Sequence, residues 1–485
     1  MVFSSHIFLL YFLPLFLLAY FVVPARWRNG VLLVGSVLFY AWGAPDFVLV
    51  LLASTVANFY LVRVMDRART PLRKKLLCAA AILLSIGLLA YFKYANFFID
   101  NVNAVLHAFG LGSMTWTKVL LPIGISFFSF QSVTYVLDTY RGINRPMNRL
   151  TDYMVYIIMF PQLIAGPIVR YTDIADQITA ERRLRWEECL QGFYRFTIGL
   201  AKKVLVADVI GRTVDVALGG DIAAMDATTA WVTIIAYTMQ LYFDFSGYSD
   251  MAIGLGRVMG FRFPENFDNP YTSASITEFW RRWHITLGAF MRNYLYIPLG
   301  GNRKGRGRTY FNLWVVFLLS GLWHGASWNF VLWGAYHGFF LVLERFLNTK
   351  YSNKTGSRPN SQFSIFNSQF LRVPLTFVVL TVGWALFRIE DLPTCWLFVT
   401  RLFSFRFGPL AFAADPQYFV TLLVALFFAF FTMLPLGKRV ERWIFHTDYH
   451  GCTHLWVWLT ACLLFFCCIG ALTATDFSPF IYFRF

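Results

Sequence analysis

Charge is what this chain has least of. Only 14% of its 485 residues are Asp, Glu, Lys or Arg, against 58% hydrophobic and 19% aromatic. That balance excludes an ordinary soluble domain. The scarcity is sharpest between residues 309 and 343, where none of the four charged types occurs, and a run that long and apolar belongs in a bilayer. Cysteine is sparse too. Seven are present, without CxxC spacing, which excludes a thiol metal knuckle; most lie in apolar segments and read as buried thiols acting as small hydrophobes. The first apolar segment, 5–24, has no basic stretch before it and no small-residue cleavage site after it, so it reads as a retained helix, not a signal peptide. No internal repeat stands out.

The charge that is present is basic and clustered. A net charge of +16 carried in loops is the positive-inside signature of a membrane protein rather than a nucleic-acid surface, so no nucleic acid is expected as a partner. The expected fold is all-α and polytopic, embedded in the lipid bilayer. Apolar spans are predicted at 5–24, 29–42, 47–62, 76–92, 119–137, 153–169, 204–218, 227–243, twice within 309–343, and at 373–387, 418–436 and 453–475. Several fall short of the roughly 20 residues of a full crossing, which predicts thinned bilayer, tilt or re-entrant segments. Segment 153–169 contains Met159-Phe160-Pro161 and Ala165-Gly166-Pro167 and is flanked by Arg149 and Arg170; it is expected to be broken or re-entrant, which is tolerated where protein surrounds it. Placing Arg26 and Arg28, the bases from Arg67 to Lys75, Arg303 to Arg308, and Lys438, Arg439 and Arg442 in the cytoplasm puts both termini outside. Residues 350–368, rich in Asn and Ser, are expected to be a cytoplasmic linker.

Within the uncharged run stands Gly321-Leu322-Trp323-His324-Gly325. An imidazole at membrane depth is costly without a partner or a task, and it is the side chain best suited to moving protons near neutral pH. A second histidine, His284, closes Ile276-Thr277-Glu278-Phe279-Trp280-Arg281-Arg282-Trp283-His284, whose three charges rule out a full span. Two readings stand for that stretch: an interfacial anchor in which His284 is an ordinary polar residue, or a functional segment. Asp244 and Asp250, six residues apart in Gln240–Asp250, do not share a helix face; they are read as capping broken helices and pairing with arginines such as Arg281 or Arg282. His337 is read as a structural hydrogen-bonder to a neighbouring helix. The spacing of His446, His450, Cys452 and His454 permits a metal site, but a polar loop before the last span is the favoured reading, so no metal is expected.

Taken together, Gln240–Asp250, Ser275–His284, Tyr294-Leu295-Tyr296-Ile297-Pro298-Leu299-Gly300-Gly301-Asn302-Arg303 and Gly321–Gly325 resemble the membrane-bound O-acyltransferase (MBOAT) family. Within it the chain is similar to the bacterial branch that acetylates alginate and peptidoglycan, with relatives that D-alanylate teichoic acid. Lys93-Tyr94-Ala95-Asn96-Phe97, Leu121–Phe127, Phe160–Pro167 and the opening Met1–Ser5 fit that branch. The resemblance runs to about residue 345 and then thins. It implies a single membrane-embedded acyltransferase domain over 1–485, with core motifs at about 90–345 and C-terminal helices and tail at 370–485, built as a ring of tilted and re-entrant helices around a tunnel. It implies that His324 is catalytic, that His284 is the second functional histidine, and that an acetyl group passes from a cytoplasmic donor to an acceptor outside.

The residues agree with that chemistry. A base activates a hydroxyl, indole or backbone N–H groups meet the oxyanion, and burial excludes water that would hydrolyse a thioester. Acetyl-CoA is the expected donor, with Arg281, Arg282 and Arg303 binding its phosphates; no bound cofactor is expected. The resemblance also implies an extracytoplasmic SGNH-type acetyltransferase as partner, a polysaccharide acceptor reached through it, and the bacterial inner membrane as location. The ending Ser478-Pro479-Phe480-Ile481-Tyr482-Phe483-Arg484-Phe485 has two readings: an aromatic anchor, or, by resemblance to a terminal motif in related acyl-transfer systems, a tail whose Tyr482 carries the acyl group. A transporter or flippase is the competing function, and a structural scaffold, which would not need His324, is a third.

Overall fold

Long apolar runs broken by proline, glycine and basic loops build helices here. A computed structural model describes residues 2–182, 184–355, 369–446, 449, 451–474 and 480–481, and every regular element among them is helical. The one β feature among these residues is an isolated antiparallel bridge between Phe267 and Trp283. Among the described residues, six helices are long and apolar enough to cross a membrane: Pro45–Asp66, Pro71–Ala108, Trp328–Lys350, Leu371–Arg388, Pro416–Met433 and Cys452–Ala474. The chain is thus a multi-pass membrane protein.

Several sequence expectations need correction. Asp244 and Asp250 do not cap broken helices: they lie inside one continuous helix, Ala227–Val258, and their partners are Lys203 and Arg195, not Arg281 or Arg282. Such acids are tolerated mid-helix because each is paired with a base, Asp244 with the buried Lys203 and Asp250 with the half-buried Arg195. Helix Trp328–Thr355 runs through the first residues of the expected linker; residues 356–368 lie outside the described ones. The cysteines are all free, but only Cys78, Cys395 and Cys468 are buried, while Cys452 and Cys467 are exposed. Those two sit on Cys452–Ala474, a span that also shows Trp456 and Phe466 to its surroundings; a helix immersed in lipid need not hide its apolar residues.

The chain folds as two compact units. The first comprises Met1–Ile198, Tyr248–Pro264 and Trp458–Arg484. Its segment 153–169 is broken as the prolines predict. Helix Leu150–Ile158 stops at Met159, a single turn Phe160–Leu163 follows, and the chain then runs non-helically to Arg170. The freed backbone groups find protein partners: the Phe160 N–H donates to Ser36 Oγ at 3.1 Å, and Gln162 Nε2 donates to the Tyr156 carbonyl at 2.5 Å. Residues 155–169 are buried throughout, the condition under which irregular backbone survives at membrane depth. Gly124, with φ 78°, lies so near this segment that a Cβ there would stand 2.6 Å from the Leu163 carbonyl oxygen. Arg195 closes on Asp250 at 2.7 Å. From the tail, Phe480 is buried and meets the Tyr248 ring edge-on at 4.7 Å.

The second unit comprises Gly199–Gly247, Glu265–Val457 and Phe485, and it holds both candidate histidines. Its framework is the hairpin of Gly305–His324 and Trp328–Thr355. The two helices touch backbone to backbone. A Cβ on Gly321 would collide with the Phe330 carbonyl, and one on Gly334 with that of Phe317. Small residues at such crossings let helices approach where no hydrophobic drive exists between them. A π-helical turn, Lys202–Ala207, sets the Lys203 ammonium 2.6 Å from Asp208 and 2.7 Å from Asp244.

Candidate functional site

Asn266 is where the site begins. The backbone of 266–268 pairs with that of 282–285: the Ile285 N–H donates to the Asn266 carbonyl at 2.9 Å and the Asp268 N–H to the Arg282 carbonyl at 3.0 Å. Between these bonds lies the Phe267–Trp283 bridge. The ladder holds His284 at φ 46°, the left-handed region where a non-glycine residue is uncommon and strained. Helix Ile276–Arg282 ends just before it and Ile285–Phe290 starts just after, so His284 occupies the elbow between two short helices. The anchor-helix reading is therefore wrong for His284, which is 2% exposed.

Its protonation state follows from its contacts. Asn266 Oδ1, which also accepts from the Thr286 hydroxyl at 2.8 Å, stands 3.0 Å from His284 Nδ1. A carboxamide oxygen only accepts, so Nδ1 carries the proton and Nε2 keeps its lone pair. Nε2 is buried and makes no hydrogen bond among the described residues. Burial pushes the imidazole down to about 3; at neutral pH the group is uncharged and poised to accept.

His324 is the last residue of Gly305–His324 and is 6% exposed. Its ring is enclosed edge-on by Trp333 at 5.0 Å, Phe387 at 5.1 Å and its neighbour Trp323 at 4.8 Å. Trp323 also lies 6.0 Å from the His284 ring, so one indole touches both histidines. Phe245, next to Asp244, meets His284 edge-on at 4.8 Å. The two imidazoles thus have Trp323 as a common aromatic neighbour.

The basic residues are placed differently from one another. Arg281 and Arg303 are exposed. Arg282 is half-buried and already engaged, 2.6 Å from Glu278 and 3.0 Å from the Thr272 hydroxyl. His337 corrects an expectation: it is fully buried, yet neither ring nitrogen finds a hydrogen-bond partner among the described residues. It is packed by Trp280 at 4.9 Å and Trp333 at 4.8 Å instead. No group of His, Cys, Asp and Glu able to hold a metal occurs among the described residues; the side chain of His446 and all of His450 lie outside them, as does Tyr482. Sequence reasoning missed Asn266 and Lys203. Neither sits in a recognisable spacing, and only a buried polar residue with a named partner marks it out.

Residues 141–371 match the sequence model of MBOAT, the membrane-bound O-acyltransferase family. The chain is 40% identical to the probable alginate O-acetylase of Azotobacter vinelandii and 42% identical to that of Pseudomonas putida, each match covering 100% of both chains. It is 34% identical to the peptidoglycan O-acetyltransferase of Helicobacter pylori over 81% of this chain and 78% of that one.

Proposed function

We propose that this chain, which belongs to the membrane-bound O-acyltransferase family, carries acetyl from cytoplasmic acetyl-CoA to the outer face of the bacterial inner membrane, with both its termini outside. It is a membrane O-acyltransferase serving O-acetylation of a polysaccharide, here an alginate-like exopolymer or peptidoglycan. The observation that carries the reading is the packing of His284 and His324 on the shared indole of Trp323, with one imidazole kept neutral by burial and oriented by Asn266.

In the proposed step His324 takes the proton of an attacking hydroxyl. The hydroxyl oxygen forms a bond to the thioester carbonyl carbon, the carbon–sulfur bond breaks, and the leaving thiolate receives the proton. His284, neutral, accepts a hydrogen bond through Nε2 as the donor settles. The exposed Arg281 and Arg303 meet the donor's phosphates, and Arg282 contributes only if it leaves Glu278. The attacking hydroxyl is that of Tyr482, which hands acetyl to an SGNH-type acetyltransferase outside the membrane. In support, Phe480, two residues earlier, is buried against Tyr248. The test is purified chain in vesicles with labelled acetyl-CoA. Release of free coenzyme A with acetyl retained on protein or acceptor supports the reading; movement of an unmodified sugar with no loss of thioester would favour a transporter.

A further inference from the structure

The helix Pro435–His446 joins two candidate spans, Pro416–Met433 and Cys452–Ala474, so it lies where the chain turns at a membrane surface. It is held on both ends. A Cβ on Gly437 would collide with the Phe431 carbonyl, and the Tyr449 hydroxyl sits 2.9 Å from the carbonyls of Trp443 and Ile444. At about 100° per residue, Gly437 and Glu441 fall on the inward side. Gly437 is buried there, and Glu441 Oε1 accepts from Asn269 Nδ2 at 2.6 Å. The opposite arc runs in order through Lys438, Arg442, Arg439, Trp443 and Leu436. All five are exposed, three of them cationic and side by side, then two apolar, with Trp443 46% and Leu436 61% exposed. The helix's only acid is the one turned inward. A basic half beside an apolar half, facing out from a surface turn, complements anionic headgroups above an acyl boundary.

We infer that this helix binds the anionic phospholipid headgroups of the leaflet it faces, and that Glu441 passes the resulting order to the donor-side segment. Asn269 is held at φ 44° and opens the turn Pro270–Thr272; the Thr272 hydroxyl in turn holds Arg282 at 3.0 Å. A lipid-fixed Pro435–His446 therefore steadies the stretch that presents Arg281, Arg282 and His284. The binding stands apart from the acyl-transfer reading, and its test needs no turnover.

The experiment is backbone hydrogen exchange of the whole protein in nanodiscs of phosphatidylcholine with and without phosphatidylglycerol. Peptides covering 435–446 should exchange about tenfold more slowly in the anionic discs. High salt should erase the difference, and so should the triple variant Lys438→Gln, Arg439→Gln, Arg442→Gln. Peptides covering 266–284 should gain protection in parallel, and Glu441→Ala should remove that second gain while leaving the first. Equal exchange in the two lipids overturns the proposal, whether the helix is free or covered by a neutral partner. So does an anionic-lipid effect that persists in the triple variant and in high salt.

Discussion

Asn266 Oδ1 accepts a hydrogen bond from the Nδ1–H of His284 at 3.0 Å, and this single contact decides which nitrogen of the imidazole keeps its lone pair. The lone pair stays on the buried Nε2 because the other nitrogen is committed. Burial holds the ring near 3, below its ordinary 6.5. The native state therefore favours neutral imidazole: the stability this group contributes is complete above about pH 6.5 and drains away as pH falls toward 3. Between pH 5 and 8 the wild-type rate should show no inflection from His284. Asn266→Asp places a carboxylate on Nδ1 and raises the imidazole, so an acidic limb should appear in that window. A pH–rate profile of donor turnover for both proteins checks this; identical profiles would remove Asn266 from the account.

Lys203 stands between Asp208 and Asp244 with 2% of its side chain exposed. Lys203→Met takes a buried ammonium away from both Asp208 and Asp244 and should destabilise by about 3–5 kcal/mol. Adding Asp244→Leu removes the more deeply buried of the two carboxylates and should recover part of that loss. Thermal unfolding of the three proteins in one detergent gives the comparison, and a single variant as stable as wild type would show the pair to be dispensable.

Gly321 tests the hairpin that carries His324. Its missing side chain lets the Phe330 carbonyl lie against the helix backbone. Gly321→Ala forces the two helices apart and should cost about 1–3 kcal/mol, with activity falling further than stability because His324 ends the displaced helix. Retained unfolding temperature and retained turnover together would contradict the close crossing.

How much of this was legible beforehand varied with the kind of signal. The helical membrane class, the break at Met159-Phe160-Pro161 and the hairpin around His324 followed from hydropathy and proline alone. The partners of the acids did not, because Lys203 precedes Asp244 by a distance that no helical spacing encodes. His284 shows the limit most clearly. Trp280-Arg281-Arg282-Trp283 reads as an interfacial helix, and only the ladder with 266–268, a tertiary pairing, bends the chain so that His284 turns inward. His337 failed in the opposite sense: a membrane histidine was expected to hydrogen-bond, but indoles surround it.

Tyr482 separates relay from anchor. Tyr482→Phe keeps the ring and removes only the hydroxyl. Polymer acetylation should be abolished while the protein remains in the membrane, and in cells lacking the proposed SGNH-type partner the wild-type C-terminal peptide should accumulate acetyl on Tyr482 by mass spectrometry. Normal polymer acetylation by the phenylalanine variant would make the residue an anchor.

The most direct measurement of the central claim is acetyl transfer by purified His324→Ala beside wild type, in the same vesicles and with the same labelled acetyl-CoA. His324 lies at the end of its helix, enclosed by Trp323, Trp333 and Phe387. Its loss should leave a folded, inserted protein whose transfer rate is lower by about 10²–10⁴, the contribution of a positioned base. A folded variant that transfers acetyl at near the wild-type rate would contradict the account at its centre.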